Sequence, residues 1–219
     1  MVALHAPTAE PLKFPRGVRF PRPEEIPAGG PPDALARLAS AHVTTGYTEA
    51  DSKRTDCSAY IEANVHADQV WSMVRALAEA LLPAVAAPLV GIKGDETVLG
   101  PYTDRSAALA VFEPFVEQLQ HDGFLEFGIM FQYQGRTEEI FVAAAKYLRV
   151  WTNQPAVART VFESRGVPCM PQLQFIDEFA TVSETLALPD GNAGWPVVLD
   201  GLRTAFAALP ERQPPERAT

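Results

Sequence analysis

"FLEFGIMFQYQGRTEEIFVAAAKYLRVWTN", Phe124 to Asn153, is the stretch whose reading decides the fold. Leu125, Phe127, Ile129, Phe131 and Tyr133 alternate with Glu126, Met130 and Gln132, the period of two expected of a strand with one buried face. Gln134-Gly135-Arg136 reads as a turn, and two further strands follow at about Glu138–Ala143 and Lys146–Thr152. Consecutive strands joined by short turns must run antiparallel. The stretch therefore predicts a three-stranded meander.

The same period sorts the side chains. If Ile140, Val142, Leu148 and Val150 point toward helices, then Glu139, Phe141, Tyr147, Arg149 and Trp151 point the other way, and Glu126, Met130 and Gln132 join them. Tyr, Trp and Arg combine large contact area with a directed polar group and often dominate binding energy. Glu126, Glu139, Phe141, Tyr147, Arg149 and Trp151 are accordingly the candidate partner-binding residues. Two other uses compete. Cross-strand aromatic pairs stabilise sheets on their own account, and the chain's own arm or terminal helix could cover the face. Glu126 and Glu139 are also read as able to approach across the meander, where two carboxylates bind a cation or raise one another's pKa, or else serve as solvated surface acid.

Outward from the meander, helical periodicity alternates with strand signals. A short helix is predicted over Asp33–His42, then a polar loop to about Asp56, a strand in "CSAYIEANV", and a helix over Asp68–Leu82 with Val70, Val74, Leu77 and Leu81 on one face. "AVAAPLVGIK" reads as a buried strand broken by Pro88, with a hairpin turn at Gly94-Asp95 leading into "ETVLG". The next helix runs from Thr103 to His121 with Leu109, Phe112, Val116 and Leu119 inward, a kink at Pro114 and a stop at Gly123. After the meander, Asn153 caps a helix with Pro155 in its first turn, Val157, Val161 and Phe162 inward, and Gly166 at its close. "LQFIDEF" reads as a last strand and Pro196–Leu209 as a terminal helix. The predicted class is α+β: an antiparallel sheet with a central three-stranded meander, helices mainly on one face, and an extended Pro-rich N-terminal arm.

That arm, residues 1–32, holds many of the 20 prolines and cannot be regular helix or central strand. In a polyproline II conformation Lys13, Arg16, Arg19 and Arg22 would share one edge, and Phe14 and Phe20 another. It reads either as solvated or as packed on its own acidic body or a partner. Residues 33–209 read as a single α+β domain, and 210–219 as a disordered tail.

A length of 219 residues is enough to bury a sizeable core without metals or disulfides. The formal charge of −9 makes nucleic acid an unsuitable partner, and a basic protein a suitable one. Cys57 and Cys169 lack any paired spacing and read as two buried reduced thiols. The N-terminus has no secretory pattern, and the longest uncharged stretch, Ala80–Ile92, is too short to span a bilayer, so no membrane association and a cytoplasmic location are expected.

No GxGxxG after a strand, GxxxxGK[ST], HExxH or GxSxG is present, and His5, His42, His66 and His121 do not cluster. No catalytic residue, cofactor or metal ligand is assigned. An enzyme would have to assemble dispersed residues, with Glu126, Glu139, Tyr147 and Arg149 as its one constellation. A structural subunit held by its arm is the third reading. Over roughly Tyr60 to Phe179, the small acidic α+β body and the run "EEIFVAAAKYLRVWTN" resemble bacterial immunity proteins, which neutralise contact-delivered toxins. The resemblance implies a non-catalytic, toxin-binding protein that meets a basic toxin through acidic and aromatic surface. A homodimer is a separate expectation for the partner.

Overall fold

The computed structural model describes residues 10–26, 33–186 and 194–213. In chain order the elements are β1 (Val18–Arg19), α1 (Ala34–Ala39), β2 (Gly46–Asp51), β3 (Ala59–Asn64), α2 (Val70–Leu81), β4 (Val85–Ile92), β5 (Val98–Leu99) and β6 (Thr103–Asp104). They continue with α3 (Arg105–Phe112), α4 (Val116–His121), β7 (Leu125–Tyr133), β8 (Arg136–Val142), β9 (Leu148–Thr152), α5 (Pro155–Ser164), β10 (Val182–Ser183) and α6 (Trp195–Ala207). The fold is α+β, as the sequence predicts. One antiparallel sheet runs in the order β2-β3-β9-β8-β7-β4-β5, with the meander β7-β8-β9 at its centre and β6 beside β4.

The turn between β7 and β8 is set by local chemistry. Gln134 and Gly135 have φ of 48° and 74°, the pair of positive values that a type I′ hairpin turn requires. Beyond it, Phe127 lies opposite Val142 and Ile129 opposite Ile140, so the aliphatic sets of all three strands share one face. On that face sit α2 to α6. Val70, Val74, Leu77 and Leu81 of α2, Phe112 of α3, Leu119 of α4, Phe162 of α5 and Leu202 and Phe206 of α6 are buried with Ile61, Phe127, Ile140 and Leu148 in one core. Removing each large side chain from water contributes about 1.5–3 kcal/mol, which the helices secure only by packing on this face.

Several local expectations are corrected. Residues predicted as polar loop contain β2, which pairs with β3 from Gly46 opposite Asn64 to Asp51 opposite Ala59. Its polar composition suits an edge strand, where Tyr47 supplies the buried anchor, stacked on Phe162 at 5.3 Å. Pro88 does not break β4. Its carbonyl accepts from the Gly100 N–H at 2.8 Å, so its nitrogen faces the same flank, in the gap between β6 and β5 where no ladder donor is needed.

Thr103 lies in β6 rather than opening a helix. Asp104 caps α3, its carboxylate accepting from the Ala107 N–H at 3.1 Å. Around Pro114 the helix tightens into a 3-10 turn over Glu113–Phe115 before α4 begins, the interruption that Pro114 predicts. Asn153 does not cap α5. Its amide donates to the carbonyls of Asp56 and Thr137 at 3.0 and 3.1 Å, while Gln154 takes the cap position. Val157 is exposed and Ala158 takes the buried place beside Phe162. "LQFIDEF" is no strand: it contains a 3-10 turn over Ile176–Glu178. Cys57 is buried, but Cys169 is exposed.

The described part of the arm, residues 10–26, lies on the body. β1 pairs with β10, and Phe20 packs edge-on between Phe14 at 5.5 Å and Phe179 at 5.8 Å. The cations disperse rather than sharing one edge: Arg16 pairs with Glu117, and Arg19 bridges Glu25 at 2.7 Å and Glu184 at 2.9 Å. Gly123 serves this junction rather than a helix stop. A Cβ there would lie 2.1 Å from the Gly17 carbonyl oxygen, so only glycine lets the arm cross. The predicted tail lies outside the described residues from 214 onward.

Candidate protein-binding face

Strand register builds the site. On the face away from the core, Tyr60 of β3 lies opposite Trp151 of β9, which lies opposite Glu139 of β8. The neighbouring row is Glu62, Arg149 and Phe141. Paired residues on one sheet face stand close enough to interact, and here they do. The Tyr60 and Trp151 rings are 4.9 Å apart between centroids, and the Tyr60 hydroxyl donates to Glu62 at 2.6 Å.

The loop between β2 and β3 closes over one end of this row. The Arg54 guanidinium carbon lies 5.6 Å from the Trp151 ring centroid, a cation–π distance, and its nitrogens reach Glu139 at 2.7 Å and Asp56 at 3.2 Å. Arg54, Thr137 and Gln132 all donate to the Asp56 carboxylate, holding it well below the usual carboxylate range. The indole is thereby clamped between a phenol and a guanidinium. Its orientation is set by contacts within the chain.

At the other end the face is covered. Residues 173–179 pass over it, and Phe175 packs on Tyr147 at 4.9 Å in a second, smaller apolar cluster with Leu89, Met130 and Phe141. Tyr147 is 3% exposed and Phe141 9%, so the expectation that these two present themselves to a partner is corrected. The Tyr147 hydroxyl donates to Asp177 at 2.9 Å and accepts from Arg149. Burial, reinforced by Asp177, raises the Tyr147 phenol pKa above its ordinary value. The Tyr60 phenol is pushed up too, by burial and by Glu62.

Arg149 sits between the covered and open ends. Its guanidinium is 4.9 Å from the Tyr147 centroid and its Nε is 3.7 Å from Glu62, while the side chain keeps 35% of its surface. That Nε is buried without a hydrogen-bond acceptor among the described residues. Carboxylates outnumber guanidiniums across the face: Asp56, Glu62, Glu139 and Asp177 surround Arg54 and Arg149.

Glu126 does not join this cluster. It accepts from the Ala144 N–H at 3.1 Å, whereas Glu139 is opposite Met130, four residues further along β7, or about 13 Å at the usual strand rise. The expected approach of Glu126 and Glu139 is corrected, and with it the constellation that included both. Among the described residues no group of three or more His, Cys, Asp or Glu comes together to hold a metal, and no helix is long and apolar enough to cross a membrane.

The sequence reading missed Arg54, Asp56, Tyr60, Glu62 and Asp177. Tyr60 and Glu62 could have been found by asking which other strand alternates polar aromatic with acid. Arg54, Asp56 and Asp177 come from non-strand segments whose placement no local period reveals. A second polar centre lies beside the meander: Lys146, at φ 64° and 3% exposed, donates to the Leu125 carbonyl. Burial outweighs the nearby Asp122 and Glu126 and lowers its pKa to about 7. No family profile, curated protein or solved structure matches the chain.

Proposed function

We propose that the chain is a non-catalytic binding protein whose contact surface is the open end of the sheet face around Trp151, Tyr60 and Arg149, and that its partner is a basic protein. The observation that supports this reading most is the clamped indole: Trp151, held between Tyr60 and Arg54, with Glu62 and Glu139 beside it. A partly exposed aromatic already fixed in orientation loses little entropy on binding, and the surrounding carboxylates complement cationic groups. The likeness to bacterial immunity proteins supplies the particular form: neutralisation of a toxin by direct binding in the cytoplasm.

The test is affinity capture of the native partner, followed by titration of the purified pair with wild type, Trp151→Ala and Arg149→Ala. A basic partner whose affinity falls at least tenfold in each variant, while both variants stay folded, is the expected result. Retention of full affinity by both variants would overturn the reading.

A further inference from the structure

Away from the residues of the sheet face, residues 10–13 of the arm, the turn before α2 and the segment after α5 line a cleft of about 570 Å³. Small-molecule sites usually measure about 300–1,000 Å³. Thr45, His66 and Val167 are buried at its wall, while Lys13 and Arg165 supply positive charge.

The imidazole of His66 is held in one state by the backbone. Its Nδ1 accepts from the Lys13 N–H at 3.1 Å, so the neutral ring carries its proton on Nε2. That nitrogen lies 3.5 Å from a Glu10 oxygen, with the His66 side chain 9% exposed and the Glu10 side chain 78% exposed. A buried donor thus faces an anion at more than hydrogen-bond length, carried by a side chain that is mostly in solvent.

On the sheet face and on α5, Arg54, Arg149 and Arg159 each pair with a carboxylate. Among the described residues neither Lys13 nor Arg165 forms an ion pair. Glu163, also on the cleft, accepts from the Tyr47 hydroxyl at 2.8 Å. A ligand with one anionic head therefore fits better than a polyanion.

We infer that this cleft binds a small molecule through a carboxylate or phosphate group, which displaces the Glu10 carboxylate from His66 Nε2 and is neutralised by Lys13 and Arg165. The site is independent of the sheet face and stands or falls without it.

The test follows the His66 ring by ¹H–¹⁵N NMR in the full chain, titrated with acetate and separately with inorganic phosphate. At least one anion is expected to give a saturable shift, weakened at least threefold in Lys13→Gln and in Arg165→Gln and tightened at least threefold in Glu10→Gln. The exposed Lys53→Gln serves as control and leaves the titration unchanged. Response to acetate alone or phosphate alone assigns the head group. The inference is overturned if neither anion moves the ring in wild type or Glu10→Gln, or if Lys53→Gln weakens binding as much as the cleft variants do.

Discussion

The two faces of the central sheet are built from the same strands and differ in almost everything else. Toward the helices, β3, β7, β8 and β9 present Ile61, Phe127, Ile129, Ile140, Leu148 and Val150, all fully buried. On the reverse, β3, β8 and β9 present Tyr60, Glu62, Glu139, Arg149 and Trp151, partly exposed and tied by ion pairs and hydrogen bonds. The first face gains its stability from apolar surface removed from water and needs no partner. The second keeps aromatic and charged surface at the boundary with solvent, and the proposed binding role requires truncation there to cost binding more than folding.

The sharpest way to break this comparison is through the core. Phe127→Ala should cost about 3–5 kcal/mol of unfolding free energy, because the helices pinned over it cannot collapse fully into the space. Urea denaturation measures this, and a loss below about 1 kcal/mol would show that the face is not close-packed.

On the reverse face Trp151→Ala should move the other observable. Partner affinity is expected to fall by about 2 kcal/mol, in the range of an interface anchor, with a smaller stability loss than Phe127→Ala causes. Calorimetric titration and urea melts on the same preparation separate the two quantities. Equal losses of stability in the two variants would place the indole with the core.

Tyr147→Phe probes the covered end. Losing the hydroxyl between Arg149 and Asp177 should cost about 1–2 kcal/mol of stability, the cost of leaving partly buried polar groups short of a partner. Partner affinity should hold, since Tyr147 is covered by Phe175. An affinity loss without a stability loss would mean that residues 173–179 move aside on binding.

A pH-dependent effect concerns Lys146, in the connection between β8 and β9. Its pKa is lowered from 10.5 to about 7 by burial. Between those values the unfolded chain holds more protons than the folded one, so stability rises with pH through this window, by up to about 1.4 kcal/mol per pH unit. The full penalty applies below the folded value. Lys146→Met should remove this slope, and urea melts from pH 7 to 10 on both chains would reveal it.

Much of this architecture was legible from local pattern. The alternation in Phe124–Asn153 placed the meander, and Gly135 the hairpin turn. The stripe on α2 identified the dry face, because period and turn chemistry act between near neighbours. The candidate site was legible only in part. Arg149, Trp151 and Glu139 were placed on the correct face, yet their neighbours Tyr60 and Glu62 belong to a strand far away in sequence. Edge strand β2 was missed because its alternation is polar, and the continuity of β4 through Pro88 depends on which flank lacks a ladder partner.

By itself the sequence determined which residues alternate, which face would be apolar, and that the body would be acidic. Tertiary structure alone decided that β3 lies against β9, that Phe175 covers Tyr147 while Trp151 stays partly open, and that Glu126 and Glu139 stay apart. The physical reason is that side-chain alternation is a property of one strand, whereas neighbours across a sheet are chosen by the burial and hydrogen bonding of the whole chain at once.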